Sequence, residues 1–337
     1  MKLKKALYGC IKSALLWYKL FAGTLQGMGF EINPYDACVT NMMVKCTIVW
    51  YVDNLKVSHV EESVVRDILR RIEDKFGKMD SVIGPAHTYL GMHITFTDAA
   101  SVEIWMGDQI VEAIEAFGED VSLNAVTPAK RDLFEVDHSS PTLSTEKGEL
   151  FHSVTAKLLY VGIRCRLDIQ LPISFLATRV SKSTAQDWEK LKRVMRYLNG
   201  TRDEILVLAS HNILKMDVFV DASYGVHDDM KGHTGGCVTF GRGSVMSKST
   251  KQTLNTKSST ETEIVGCSDY ATQPLWAKKF IEHQGYKLDC DVHQDNTSSM
   301  RMEKNGRKSV GPKSRHIDIR YFCYSVMKPK ISDINVS

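Results

Sequence analysis

The hydrophobic pattern changes period several times along the chain. The segment ALLWYKLFAGTLQGMGF sets Leu15, Leu16, Phe21 and Leu25 at helical spacing and predicts a helix within residues 1–30. Residues 47–60, TIVWYVDNLKVSHV, are β-formers broken by Asp53 and Asn54, which predicts strand, tight turn, strand with Asp53 at the tip. From Val65, VRDILRRIEDKFGKM carries Ile68, Leu69, Ile72 and Phe76 on one helical stripe. HTYLGMHITF (87–96) reads as a strand pair broken at Gly91, and residues 100–145 are polar and less regular. SVTAKLLYVGIRCRLDI (153–169) and AQDWEKLKRVMRYLNG (185–200) each read as a helix, the second closed by Gly200.

Near residue 212 the pattern turns to strands. LKMDVFVDAS (214–223) is a strand ending in an acid, and CVTFGRGSVMSKS (237–249) is a hairpin turning at residues 241–243. SSTETEIVGCSDYATQPLWAKKFIEHQG (258–285) is a long helix started by Ser258 or Ser259, with Pro274 a candidate kink. CDVHQDNTSSM (290–300) is a strand that delivers Asp295 to a helix start. The expected class is α/β (α+β), with a mixed-sheet domain over residues 213–325.

Composition narrows the class only modestly. The 337 residues, 43% hydrophobic and 25% charged, allow two or three globular domains. No run of about 18 apolar residues occurs, so no membrane span is expected. The basic–apolar–basic start lacks a small-residue cleavage site, so it does not read as a signal peptide. Eight cysteines without a C-x-x-C pair predict reduced thiols, no zinc site and a cytosolic or nuclear location. The net charge of +3 is nearly balanced, but bases crowd both ends: Lys2, Lys4, Lys5 and Lys12, then Arg301, Lys304, Arg307, Lys308, Lys313, Arg315 and Arg320. Such patches can track phosphates, and the six from Arg301 to Arg315 are candidate nucleic-acid contacts; a solvated charged loop is the alternative.

Three acids sit where strands meet helices: Asp221 near the end of one strand, Glu263 one turn into the long helix, Asp295 after another strand. Converging carboxylates repel unless a cation neutralises them, and hard oxygen ligands favour Mg²⁺ or Mn²⁺. Helix-capping or surface roles for these acids and for Glu261 stay open on spacing alone.

The motifs VDAS (220–223), HTGG (233–236), SKSTKQ (247–252), TKSSTETEIVGCSDY (256–270), QDN (294–296) and KSRHIDIRYF (313–322) together resemble the RNase H domain of copia-type LTR-retrotransposon polyproteins. Upstream, KLKKALYG (2–9), WYKLF (17–21), GFEINPYDACV (29–39), WYVD (50–53), YLGM (89–92), LLYVGIRCRLDI (158–169) and RYLNGT (196–201) resemble the reverse transcriptase of the same elements, in the same order. The resemblance implies a partial reverse-transcriptase palm over 1–100, a palm-end and thumb–connection region over 101–212, an RNase H-like domain over 213–325 and a divergent tail over 326–337.

It further implies that Asp221, Glu263 and Asp295 bind two Mg²⁺ or Mn²⁺ ions and cleave the RNA strand of an RNA–DNA hybrid, leaving a 3′-hydroxyl. Glu263 is preferred to Glu261 because an apolar residue, Ile264, follows it as in the family. His316 and Asp318 are further candidates near that site. The family's polymerase turn reads Tyr-x-Asp-Asp; here the second Asp is Asn54, which keeps the shape but removes a negative charge. The segment carrying the family's upstream aspartate falls before Met1. Polymerase activity is therefore expected to be lost, with Asp53 and Asn54 a remnant of the turn. A non-catalytic nucleic-acid-binding fragment, or a degenerate remnant without enzymatic role, is the alternative to a nuclease.

Overall fold

The computed structural model of the chain describes residues 11–42, 46–299 and 334–336. These form two compact units: the described residues of Met1–Gly84 with Trp276–Lys287, and those of Pro85–Leu275 with Leu288–Ser337.

In the first unit, α1 (Ile11–Gly27) leads to β1 (Glu31–Ile32), β2 (Val39–Met42), β3 (Cys46–Tyr51) and β4 (Asn54–Ser58), followed by α2 (Glu62–Phe76). The four strands pair antiparallel in chain order. Alternation along β3 turns Cys46, Ile48 and Trp50 inward, where they meet Phe21 and Leu25 of α1 and Ile68 and Ile72 of α2. The β3–β4 turn has two residues, with Val52 at φ 56° and Asp53 exposed at the tip. Helix α2 starts three residues before Val65, yet keeps the expected stripe, with Ile68 and Ile72 buried.

The second unit opens with β5 (Ala86–Tyr89), β6 (Met92–Phe96), β7 (Ser101–Trp105) and α3 (Gly107–Phe117). The last two correct the reading of 100–145 as irregular. Val102 and Ile104 alternate with polar residues, and Ile110, Ala113 and Phe117 follow a helical spacing that buries all three. α4 (Thr145–Arg164), α5 (Gln170–Ala177) and α6 (Ala185–Gly200) follow, then β8 (Leu206–Ser210), which pairs with β7. α3–α6 share one core that includes Phe117, Phe151, Leu158, Ile173, Trp188 and Leu198.

The helix expected over 153–169 begins earlier, where Ser144 accepts the Lys147 N–H as its cap, and stops at Arg164. A short 3₁₀ turn, Leu167–Ile169, replaces its last residues. The break lets Arg166, 2% exposed, turn inward and donate to both Asp168 carboxylate oxygens at 3.0 and 2.7 Å and to Thr201 at the end of α6. Asp168 also accepts from the Tyr197 hydroxyl at 2.7 Å. This clamp gives physical content to the paired motifs RCRLDI and RYLNGT. Removing the guanidinium deletes its hydrogen bonds to Asp168 and Thr201, while Asp168 itself stays exposed and bound by Tyr197, so Arg166→Ala should cost about 1–3 kcal/mol. A urea midpoint unchanged from wild type would contradict that.

The remaining strands are β9 (Lys215–Ser223), β10 (His233–Thr239), β11 (Gly241–Arg242) and β12 (Ser244–Lys251), followed by α7 (Ser259–His283), β13 (Asp289–His293) and β14 (Ile334–Val336). The expected hairpin is present as β10–β12, but its tip differs: β11 leaves it to pair with β8 in the sheet β11-β8-β7-β6-β5. Helix α7 runs through Pro274. The other sheet has the order β12-β10-β9-β13-β14, antiparallel from β12 to β9 and parallel from β9 to β14. Along β9 the side chains alternate strictly, Met216, Val218, Val220 and Ala222 inward and Asp217, Phe219 and Asp221 on the open face. The fold is thus mixed α/β, with several antiparallel sheets.

Candidate metal centre

Asp221 lies near the end of β9, and Asp295 lies two residues beyond its parallel neighbour β13. Parallel pairing in this register brings both chain ends to the same edge of the sheet. Glu263 reaches them from the second turn of α7. One oxygen of each of the three carboxylates lies within 4.8 Å of the other two. Asp221 and Asp295 are exposed, whereas Glu263 is buried.

Close packing of α7 on the sheet makes this reach possible. Gly266 lies one turn after Glu263, and a Cβ there would stand 2.9 Å from the Ala222 Cβ and 3.3 Å from Thr234 Oγ1. Gly236 likewise leaves room for the buried Tyr270 ring, 2.6 Å from where its Cβ would be. Gly266→Ala should therefore push the helix outward. The expected loss is about 1–3 kcal/mol of stability, together with a weaker rise in melting temperature on adding Mg²⁺. Unchanged melting curves with and without the ion would show that the close approach is dispensable.

Burial pushes the Glu263 carboxyl up to about 7; the charges of Asp221 and Asp295 add to the rise, while hydrogen bonds from Gln294 and the Ala222 backbone oppose it. Gln294 Nε2 donates to Glu263 Oε2 at 3.2 Å, and its own Oε1 is buried without a partner. An all-oxygen donor set, mutual repulsion and an orphaned buried oxygen beside it fit a hard divalent cation.

Glu261 has a different place. Its carboxylate accepts the Lys257 N–H at 2.8 Å and its own N–H is directed at Ser258 Oγ, so it is bound up with the start of α7. Asp53 lies in the first unit. Among the described residues, no group of three or more potential ligands includes it. Arg301, Lys304, Arg307, Lys308, Lys313, Arg315, His316 and Asp318 lie outside the described residues, as do Lys2, Lys4 and Lys5. Sequence reasoning missed Gln294, Gly266 and the open-face residues Phe219 and His293. The period of two along β9 was the signal for Phe219, since it places that ring on the same face as Asp221.

A five-stranded mixed sheet in this order, with acids from its central strand, α7 and the next parallel strand, has an RNase H-like fold. The homologues of the chain are Pol polyproteins of copia-type retrotransposons. It is 26% identical over 335 residues to the Retrovirus-related Pol polyprotein from transposon TNT 1-94 of Nicotiana tabacum, covering 95% of this chain and 24% of that protein. It is also 26% identical over 275 residues to a putative transposon Ty5-1 protein of Saccharomyces cerevisiae, covering 78% and 86%. The chain thus spans about a quarter of the tobacco polyprotein but most of the shorter yeast protein. Among solved structures, the foamy viral protease–reverse transcriptase in complex with an RNA/DNA hybrid matches with a TM-score of 0.56 at 12% identity, over 98% of this chain and 38% of that one. No family model matches the chain. Among the described residues, no helix is long and apolar enough to cross a membrane.

Proposed function

We propose that this chain is a reverse transcriptase/RNase H fragment whose RNase H-like site hydrolyses the RNA strand of RNA–DNA hybrids. The convergence of Asp221, Glu263 and Asp295 within 4.8 Å carries the proposal. These three would hold Mg²⁺ or Mn²⁺, two ions in a complete site. Divalent ions, when bound there, supply charge neutralisation, an activated water and stabilisation of the leaving oxygen. The chain's own contribution is positional. Glu263 is fixed by Gln294 in the wall of the site, while Asp221 and Asp295 face the open side from which a strand can approach. The Arg301 to Arg315 cluster follows Asp295 in the chain and is proposed to contact hybrid phosphates, with backbone shape and 2′-hydroxyls rather than base edges setting selectivity.

Substrate discrimination tests this directly. With Mg²⁺, the protein should cleave the labelled RNA strand of a hybrid and leave duplex DNA and free single-stranded RNA intact. Equal cleavage of free RNA would point to a different nuclease.

The polymerase turn is proposed to be inactive, because Asn54 brings no charge to Asp53. Primer extension on an RNA template should show no incorporation in Mg²⁺ or Mn²⁺. Template-dependent extension would overturn this.

A further inference from the structure

Beside the carboxylates, the open face of the sheet carries an aromatic side chain with no part in metal binding. Phe219 lies two residues before Asp221 and is 46% exposed at the centre of the sheet. Its ring stacks on His293, its register partner on β13, with centroids 4.7 Å apart and planes 18° apart. His293 is held in turn by Asp217, Nε2 to Oδ1 at 2.8 Å. Side chains on neighbouring strands that stack in this way stand upright on the sheet, each covering one face of the other. His293 therefore covers one face of Phe219, and the other face looks toward β10.

On β10 only small residues stand opposite, among the described residues. The residue opposite Phe219 is Cys237 and the residue opposite Asp221 is Gly235, so the floor beside the ring is made of small residues. The result is an open groove of about 630 Å³ lined by Phe219, Gly235, Gly236, Cys237 and His293, with Asp221 and Asp295 also on its wall. One aromatic wall, a low floor and an acidic end make an open groove that can seat a flat ring. Aromatic side chains on an open sheet face bind nucleic acid by stacking unpaired bases. Bases inside a duplex have both faces covered by their neighbours and cannot enter such a slot.

We propose that this slot takes one unpaired nucleobase of the strand addressed by Asp221, Glu263 and Asp295, stacked on Phe219. The inference rests on the hybrid-nuclease reading and adds to it a preference for hybrids carrying an unpaired nucleotide, at a bulge or a frayed end, next to the cleaved bond. Phe219 is the stacking residue, and His293 and Asp217 are positioning residues that keep its ring upright.

The test compares two fluorescently labelled RNA–DNA hybrids, identical except for one unpaired adenosine in the RNA strand, by fluorescence anisotropy with Ca²⁺. Wild-type protein should bind the bulged hybrid about ten-fold more tightly. Phe219→Ala should abolish that preference while leaving the paired hybrid's affinity unchanged, and Phe219→Trp should keep it. Cys237→Leu, which fills the floor opposite the ring, should also abolish it. Equal wild-type affinity for the two hybrids, or a preference that survives both Phe219→Ala and Cys237→Leu, would overturn the slot and leave the nuclease reading standing. Failure of wild-type protein to bind either hybrid would overturn both.

Discussion

Acidification from pH 7 to pH 4.5 should withdraw several kcal/mol of stability through His227 and His233, a loss that the titration of Glu263 partly offsets in metal-free protein. The two rings are 3% and 5% exposed and lie 3.0 Å apart, Nε2 to Nδ1, and His233 Nε2 continues the chain to Ser249 Oγ at 2.7 Å. Phe134 meets both rings and Phe175 stacks on His227, so water cannot solvate a charge there. Burial lowers both pKa values to about 4; Lys251 and Lys231 deepen the shift at His227 against the opposing charge of Asp229, and His227 adds to it at His233. Unfolded, each imidazole titrates near 6.5. Between that value and about 4 the unfolded chain binds more protons than the folded one. Stability is therefore full above pH 6.5 and falls as pH drops toward 4, by about 3 kcal/mol for each histidine if they acted independently. A hydrogen bond joins the rings, so the pair need not reach twice that figure. Urea midpoints measured from pH 8 to pH 4.5 should fall steeply in wild type and less steeply in His233→Gln, even though the variant starts from a lower stability. Equal slopes would remove the pair from the account.

Glu263→Gln should act in the opposite sense. The folded pKa of about 7 lies above the unfolded carboxylate value, so in metal-free protein the folded state binds the extra proton. Stability is lost as pH rises from about 4.5 through 7, by about 3 kcal/mol when the loss is complete. The amide removes that loss. Metal-free Glu263→Gln should therefore be more stable than wild type by about that amount at pH 8 and no more stable near pH 4.5. Added Mg²⁺ should raise the melting temperature of wild type at pH 8 and leave the variant almost unmoved, because a cation relieves the same repulsion that the amide abolishes. A variant less stable than wild type at pH 8 without metal would mean that the carboxylates are not in conflict.

The strands that build the site are legible in the sequence because their apolar residues alternate. Met216, Val218 and Val220 announce β9, and the acid at its end follows from the same period. Preference for Glu263 over Glu261 came from resemblance rather than spacing, since both lie in the first turns of one helix. Their different places become visible only when Glu261 is seen bound to the Lys257 backbone and Glu263 beside Asp221. The missed elements failed for a related reason. β8 is short and pairs with β7 across about a hundred residues, so it has no hairpin turn to mark it, and β7, joined to β6 by the turn at residues 97–100, is only five residues long. The end of α4 was misplaced because Arg166 leaves the helix for Asp168 and Thr201, a tertiary demand that overrides local propensity. Phe219 reads as one more β-former in a run; only its exposure and the small residues opposite it on β10 show that one face of its ring is open.

The most direct test of the central claim is cleavage of a hybrid carrying end-labelled RNA, by wild-type protein and Asp221→Asn side by side in Mg²⁺. Wild type should release RNA fragments ending in 3′-hydroxyls. Asp221→Asn should bind the hybrid as well as wild type but cleave it at least about a thousand-fold more slowly, since losing one ligand costs about 4 kcal/mol of transition-state stabilisation. Cleavage by Asp221→Asn at the wild-type rate, or none by wild type at saturating Mg²⁺ and Mn²⁺, would contradict the assignment of Asp221, Glu263 and Asp295 as a hydrolytic site.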